Sequence, residues 1–403
     1  MNKEYLILEE KIKDKGIDIN WLKQSIKELE IETPSWGYGD SGTRFKVFKK
    51  EGVPSTLYEK LDDAAIVNKY TGVCPSVAVH IPWDKVDDYD DASAYAKKLG
   101  IRIGAVNPNL FQDDEYMLGS VTNTDEKIRK KAIAHMIECV DIARKFKSKT
   151  LSLWFADGTN YPGQGNIRKR KNWMLESLVA LDKAMDDDMR MLIEYKAFEP
   201  AFYHTDINDW GMSYLLSTKV GKKAQVLVDL GHHAQEVNIE HIVATLLDEQ
   251  KIGGFHFNNK KYADDDLIVG TIKPYELFLI FNEIIDAKFD DKTKACANNI
   301  AYMIDQSHAI EPKVPAMIKS VINVQVAHAK ALLVDRKALE IARENNDVLL
   351  AESIIKDAYL TDVRPLLEQV REEMGIDKDP MKAYLASGYE EEKLKRGFGQ
   401  GWE

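Results

Sequence analysis

The stretch VLVDLGHHAQEVNIEHIVATLLDEQKIGGFHF, Val226–Phe257, decides the fold. It opens on Val226–Asp229, a short and nearly continuous apolar run, and closes on a second such run, Gly253–Phe257. Runs of this kind suit strands buried on both faces. Between them Ile239, Ile242, Val243, Leu246 and Leu247 recur at the spacing of one helix face. Strand, helix, strand is the unit of a parallel sheet with helical crossovers.

The alternation extends both ways. Ser76–His80, Ile101–Val106, Leu151–Phe155 and Met191–Glu194 come before it, Ala301–Ile304 after it, and a weaker candidate near Pro34–Trp36 makes eight. The segments between are amphipathic: from Asp125 to Phe146, Ile128, Ala132, Met136, Ile137 and Val140 fall on one face. Thr56-Leu-Tyr-Glu59 has a capping-box pattern, and Pro274 suits the first turn of a further helix. Eight β–α repeats predict an α/β protein built as a closed (β/α)8 TIM barrel rather than an open doubly wound sheet. The expected organisation is an N-terminal helical segment over 1–33, a catalytic barrel over 34–335, and a C-terminal helical extension over 336–403 suited to oligomer contacts.

Composition narrows the function. Of 403 residues 44% are hydrophobic and 30% charged, as in a folded globular chain. The net charge of −11 argues against binding nucleic acid through phosphates. No apolar run approaches the ~18 residues of a membrane span. The N-terminus interleaves charges, so neither a membrane partner nor a secretory signal is expected. Cys74, Cys139 and Cys296 are too few and too scattered for a disulfide framework, which points to the cytoplasm. Gly37-Tyr-Gly39-Asp-Ser-Gly42 matches a dinucleotide fingerprint, but Thr-Arg-Phe-Lys-Val-Phe follows it where a helix is needed. The basic run Ile167-Arg-Lys-Arg-Lys-Asn172 reads as a solvated helix face or a subunit contact.

Barrel chemistry sits at the C-terminal ends of strands. There the sequence places His80 with Asp84 in reach to orient its ring, Asn107 and Asn109, Trp154 and Asp157, Glu194 and Lys196, Asp229, His232 and His233, His256 with Asp264 and Asp266, and Asp305 with His308. Alone, a strand-end Asp is usually a helix cap and a strand histidine a core residue; the joint pattern over strands five to eight outweighs that. Carboxylate with imidazole and no thiolate suits Mn, Mg or Co. Glu194, Asp229, His256 and Asp305 would serve one ion, and His232, Asp264 and Asp266 a second, with Asp229 able to bridge. His204, His233, His241 and His328 read as structural.

The combination PSWGYGDSGTRF, VHIPWDK, WFADGTNYPGQ, EYKAFEPAFY, VDLGHH, GGFHFNNKKYADDD and MIDQSH resembles the L-rhamnose isomerase family, above all its broad-specificity bacterial branch. The resemblance runs from about Pro34 into the helices beyond Val334. It implies a barrel like that of xylose isomerase, two divalent ions per chain, typically Mn2+ with Co2+ or Mg2+ as substitutes, and a homotetramer acting on a free monosaccharide. It implies interconversion of L-rhamnose with L-rhamnulose and of other sugars such as D-allulose with D-allose. Ring opening falls on His80, catalysis also on Lys196 and Asp305, and the aromatic walls on Trp36, Phe111 and Trp154. Phe45 matches a residue that neighbouring subunits can donate, and the two metal sets match those read above. Asn259, Lys260 and Tyr38 depart from the family pattern and leave the sugar preference open. A ketose 3-epimerase on the same fold is the alternative; a metal-dependent phosphodiesterase and a non-catalytic sugar- or metal-binding module are further ones.

Overall fold

The computed structural model describes residues 3–42, 46–199 and 203–399. Eight parallel strands close into a barrel, each hydrogen-bonded to its neighbours in chain order. They are β1 (Ile31–Pro34), β2 (Ser76–Ile81), β3 (Arg102–Pro108), β4 (Thr150–Leu153), β5 (Arg190–Glu194), β6 (Ala224–Asp229), β7 (Ile252–Phe257) and β8 (Ala301–Ile304). The expected TIM barrel is thus present. The first strand begins at Ile31, inside the segment read as helical, and Ser35–Tyr38 is a short 3-10 turn.

Alternation along each strand sorts side chains between lumen and helix layer. Leu192 of β5, Leu227 of β6 and Met303 of β8 pack in the lumen with Ala78, Ala105 and Trp36. Met191, Ile193, Val226 and Val228 belong to the larger core shared with the helices. The same parity points Glu194 and Asp229 into the lumen mouth, one step above Leu192 and Leu227. Register places Asp229 beside His256 and His80 beside Asn107.

The helices start where the sequence says. Thr56 and Glu59 cap each other at helix Leu57–Thr71, Pro274 opens helix Pro274–Ala287, and Asn238 caps helix Ile239–Asp248. Beyond the barrel, helix Arg364–Glu373 packs on the N-terminal helices Lys3–Asp14 and Ile19–Lys27. Glu373 accepts from both Lys23 and Lys27 at 2.7 Å. Among the described residues no single helix is long and apolar enough to cross a membrane. A small antiparallel sheet of Gly158–Thr159, Phe198–Glu199 and Tyr203–Thr205 joins the loops after β4 and β5.

Candidate metal centre

The ends of β5 to β8 converge. One ligand atom from each of Glu194, Asp229, His256 and Asp305 lies within 4.8 Å of the other three. His256 Nδ1 is 3.3 Å from Glu194 Oε1, 3.6 Å from Asp305 Oδ2 and 3.8 Å from Asp229 Oδ2. A second set, Asp229, His232 and Asp264, converges as tightly. His232 Nε2 is 3.3 Å from Asp264 Oδ1 and 3.9 Å from Asp229 Oδ1. His232 Nδ1 lies 3.1 Å from the carbonyl of Tyr195. A carbonyl only accepts, so Nδ1 carries a proton; burial works against charge on this imidazole, but Asp229 and Asp264 beside Nε2 raise it well above its ordinary value. Asp266 lines the same cavity but belongs to neither convergent set.

This donor set fits a cation. Buried His256 Nδ1 sits among three carboxylates with no well-aligned hydrogen bond. Burial, with the charges of Glu194, Asp305 and Asp264, pushes Asp229 up to about 7. Burial raises Asp305 as well, with Glu194 adding to it, and carries Asp266 well above the carboxylate range, helped by Asp264 and Asp305. Burial works against a charge on His256, but Glu194, Asp305 and Asp229 outweigh it and raise that imidazole to about 9. Carboxylates this close and this dry cannot all stay ionised without positive charge between them.

Across a cavity of about 260 Å³ stand His80 and the aromatic walls. The His80 ring stacks on Trp83 at 3.9 Å and meets Trp36 and Phe111 edge-on, each at 5.7 Å. Phe111 in turn meets Trp154 at 4.8 Å. Burial, then the charges of Lys60 and His135, hold the His80 imidazole down to about 3, so it is neutral, and its Nδ1 has no hydrogen-bond partner. Lys196 Nζ lies 2.6 Å from Asp264 Oδ2 and 5.0 Å above the Trp154 ring. Trp36 Nε1 donates to Asp305 Oδ1 at 2.7 Å. Phe45 lies outside the described residues.

The sequence matches the family described as xylose isomerase-like TIM barrel over residues 70–277. A probable sugar isomerase of Rhizobium meliloti (strain 1021) is 44% identical over 396 residues, covering 96% of this chain and 91% of that protein. The chain belongs to the xylose isomerase-like TIM barrel family. Another probable sugar isomerase, from Mesorhizobium japonicum, is 41% identical, covering 96% of this chain and 91% of that one. D-psicose 3-epimerase of Clostridium cellulolyticum H10, solved with D-tagatose, shares the fold at a TM-score of 0.51 and 12% identity, covering 77% of this chain and 99% of that one.

Within this xylose isomerase-like barrel one sequence expectation needs correcting. Asp84, four residues after His80, reads as a partner for its ring. In the structure Asp84 accepts the main-chain N–H of His80 at 2.8 Å, and its other oxygen takes Lys60 Nζ at 2.6 Å. Ser35 Oγ also donates to it. The carboxylate is spent on the strand end and on Lys60, so Trp83 fixes the ring instead.

Three residues that shape the site escape the sequence reading. Asn258 Nδ2 donates to both oxygens of Asp229, at 3.0 and 3.1 Å, and sets that carboxylate toward the cavity. Gly231 N–H donates to Asp229 Oδ1 at 2.6 Å. A Cβ at Gly231 would stand 2.9 Å from Asp264 Oδ1 and 3.2 Å from Asp229 Oδ1, so only glycine lets both carboxylates approach. Asn259 ties down the loop that carries Asp264: its backbone pairs with Leu267, and its Oδ1 accepts from Ile272 and Lys273. The signal was the Asn-Asn pair directly after β7, but an asparagine there reads first as a turn former.

Proposed function

We propose that this chain is a metal-dependent aldose–ketose isomerase interconverting L-rhamnose and L-rhamnulose, and also D-allulose and D-allose. The observation that carries this reading is the convergence of Glu194, Asp229, His256 and Asp305 across an aromatic-walled cavity from a neutral, buried His80. Glu194, Asp229, His256 and Asp305 would hold one divalent ion, manganese in this proposal, and Asp229, His232, Asp264 and Asp266 a second. When bound, such ions supply Lewis acidity to neighbouring sugar oxygens.

The chain's own residues do the rest. His80 moves a proton between the anomeric hydroxyl and the ring oxygen, which opens the sugar. Burial keeps it neutral, and its unpartnered Nδ1 leaves a ring nitrogen available for that transfer. Lys196 stabilises negative charge growing on a sugar oxygen. Hydrogen passes between C1 and C2 either as a hydride or as a proton, and for the proton route Asp305, oriented by Trp36, is the carboxylate beside the base that takes it from one carbon and returns it to the other. Trp36, Phe111 and Trp154 pack on the sugar's C–H face and exclude water. A free monosaccharide as substrate, a homotetramer as the assembly and the cytoplasm as location belong to the same proposal; nucleic acid and membrane have no part in it.

The test is incubation of the full chain with Mn2+ and, separately, L-rhamnose, L-mannose, D-allulose and D-allose, with products separated by chromatography. Aldose converting to ketose, and the reverse, is the expected result. A ketose yielding only its C3 epimer would replace this reading with ketose 3-epimerisation. No turnover of any sugar would overturn it.

A further inference from the structure

Lys196 stands two residues past the end of β5, where the strand ladder no longer holds the chain. Its long flexible stem must nevertheless deliver the ammonium group to one place, beside Asp264 and over Trp154. The backbone is held there by a splint of three residues. Lys196 N–H donates to Ile207 O at 3.0 Å, and Thr205 Oγ1 donates to the Lys196 carbonyl. Asp206 sits between those two contacts.

Asp206 is fixed by a buried ion pair. Arg170 is only 3% exposed. Its Nη2 lies 2.8 Å from Asp206 Oδ2 and its Nε 3.1 Å from both carboxylate oxygens, a forked geometry that fixes orientation as well as distance. The remaining donors of the same guanidinium reach the carbonyls of Thr122 and Gly158 at 3.2 and 3.1 Å. Thr122 Oγ1 also lies 2.8 Å from Asp206 Oδ2, and Asp157 accepts from Ser120 and Thr122 through main chain and side chain alike. Asp206 N–H closes the circuit on Asp157 O at 2.8 Å. One side chain on the helix after β4 thus binds the loops that follow β3, β4 and β5 into one body.

We propose that Arg170 is a positioning residue for Lys196, acting through Asp206 and the 205–207 splint. It comes from the basic run that reads in sequence as a solvated helix face; the other cations of that run serve that face, and Arg170 alone turns inward. A guanidinium is required because one carboxylate and two carbonyls must be served from one planar group, which an ammonium on a lysine stem does not match. Losing it frees the splint while β5 and the metal-ligand carboxylates stay in place.

The activity half of the test rests on the isomerase reading; the labelling half does not. Full-length wild type, Arg170→Ala, Arg170→Lys and Asp206→Asn are treated with formaldehyde and cyanoborohydride, and methylation of Lys196 is followed by peptide mass spectrometry. Lys196 should label several-fold faster in the variants, with buried Lys260 as an unchanged internal reference. In parallel, kcat should fall with KM little changed, and Arg170→Ala combined with Lys196→Met should be no slower than Lys196→Met alone. Added methylguanidinium should restore part of the loss in Arg170→Ala. If Arg170→Ala does not fold, Arg170→Lys and Asp206→Asn decide. Wild-type labelling of Lys196 in a folded variant, or additive losses in the double variant, would overturn the proposal. A wild type that labels as expected and turns over no sugar leaves this inference standing and removes the isomerase.

Discussion

The ring-opening role proposed for His80 requires a ring that is neutral and fixed in angle, and both conditions come from its neighbours. Burial and Lys60 suppress its charge, and Trp83, stacked at 3.9 Å, fixes its plane. His80→Ala should therefore lower turnover by roughly 10²–10⁴-fold, the range for losing a general acid–base group. Metal content and thermal midpoint should stay near those of the wild type. The assay must start from the cyclic sugar, and unchanged turnover there would remove His80 from the mechanism. At this scale the sequence was informative wherever a polar residue ends an apolar run, as Glu194, Asp229, His256 and Asp305 do. It was misleading where two residues are near in number only. The spacing of His80 and Asp84 does not say whether the bond goes to ring or main chain, and Lys60, which claims the carboxylate, comes from the preceding helix.

The two candidate ligand sets differ in the elements that hold them. Glu194, Asp229, His256 and Asp305 stand within one residue of the ends of β5 to β8, whereas Asp264 rides a loop held by Asn259. Asp264→Asn should therefore empty the second set while the first keeps its ion, with the barrel folded and isomerisation lost. Elemental analysis beside circular dichroism reads this out; equal loss from both sets, or full retention in both, would contradict the division. The strands themselves were readable because β2 to β8 are nearly all apolar. The exception, β1, carries Glu32 into the barrel floor. Its Oε1 accepts Ala105 N–H at 2.9 Å, and Gly104 leaves room for it, since a Cβ there would fall 1.4 Å from Oε2. A charged residue inside a four-residue strand erases the apolar run by which such strands are recognised, and the reading slipped to Pro34–Trp36. The strands of the small sheet, two or three residues each, are too short to show any period.

For the molecule as a whole, stability should depend on both protons and metal. His328, on helix Lys313–Leu332, is 2% exposed, edge-on to Phe281, and its Nδ1 has no hydrogen-bond partner. Burial, then the charge of Lys288, holds it down to about 3 from an ordinary 6.5. Above the ordinary value neither state binds the proton. Between the two values the unfolded chain takes it up and the folded chain refuses it, so stability falls as the solution is acidified. The slope is at most about 1.4 kcal/mol per pH unit, or about 2 kcal/mol between neutrality and pH ~5. His328→Gln should show a shallower drop in thermal midpoint over that range than the wild type; parallel curves would exclude His328 as a contributor. Metal acts in the opposite sense. The first ligand set spans β5 to β8, so an ion there would cross-link half the barrel mouth and neutralise carboxylates that otherwise repel. An ion at a hundred times its dissociation constant stabilises a native state by about 2.7 kcal/mol if the unfolded chain does not bind it. Chelation should accordingly lower the thermal midpoint and abolish isomerisation, and Mn2+ or Co2+ should restore both. A chain of this size can unfold irreversibly, so all scans must share one heating rate. Full activity in a sample that elemental analysis shows to hold far less than one ion per chain would sink the metal mechanism. A midpoint indifferent to metal in a sample that does bind it would show that the four strands hold their places without the ion.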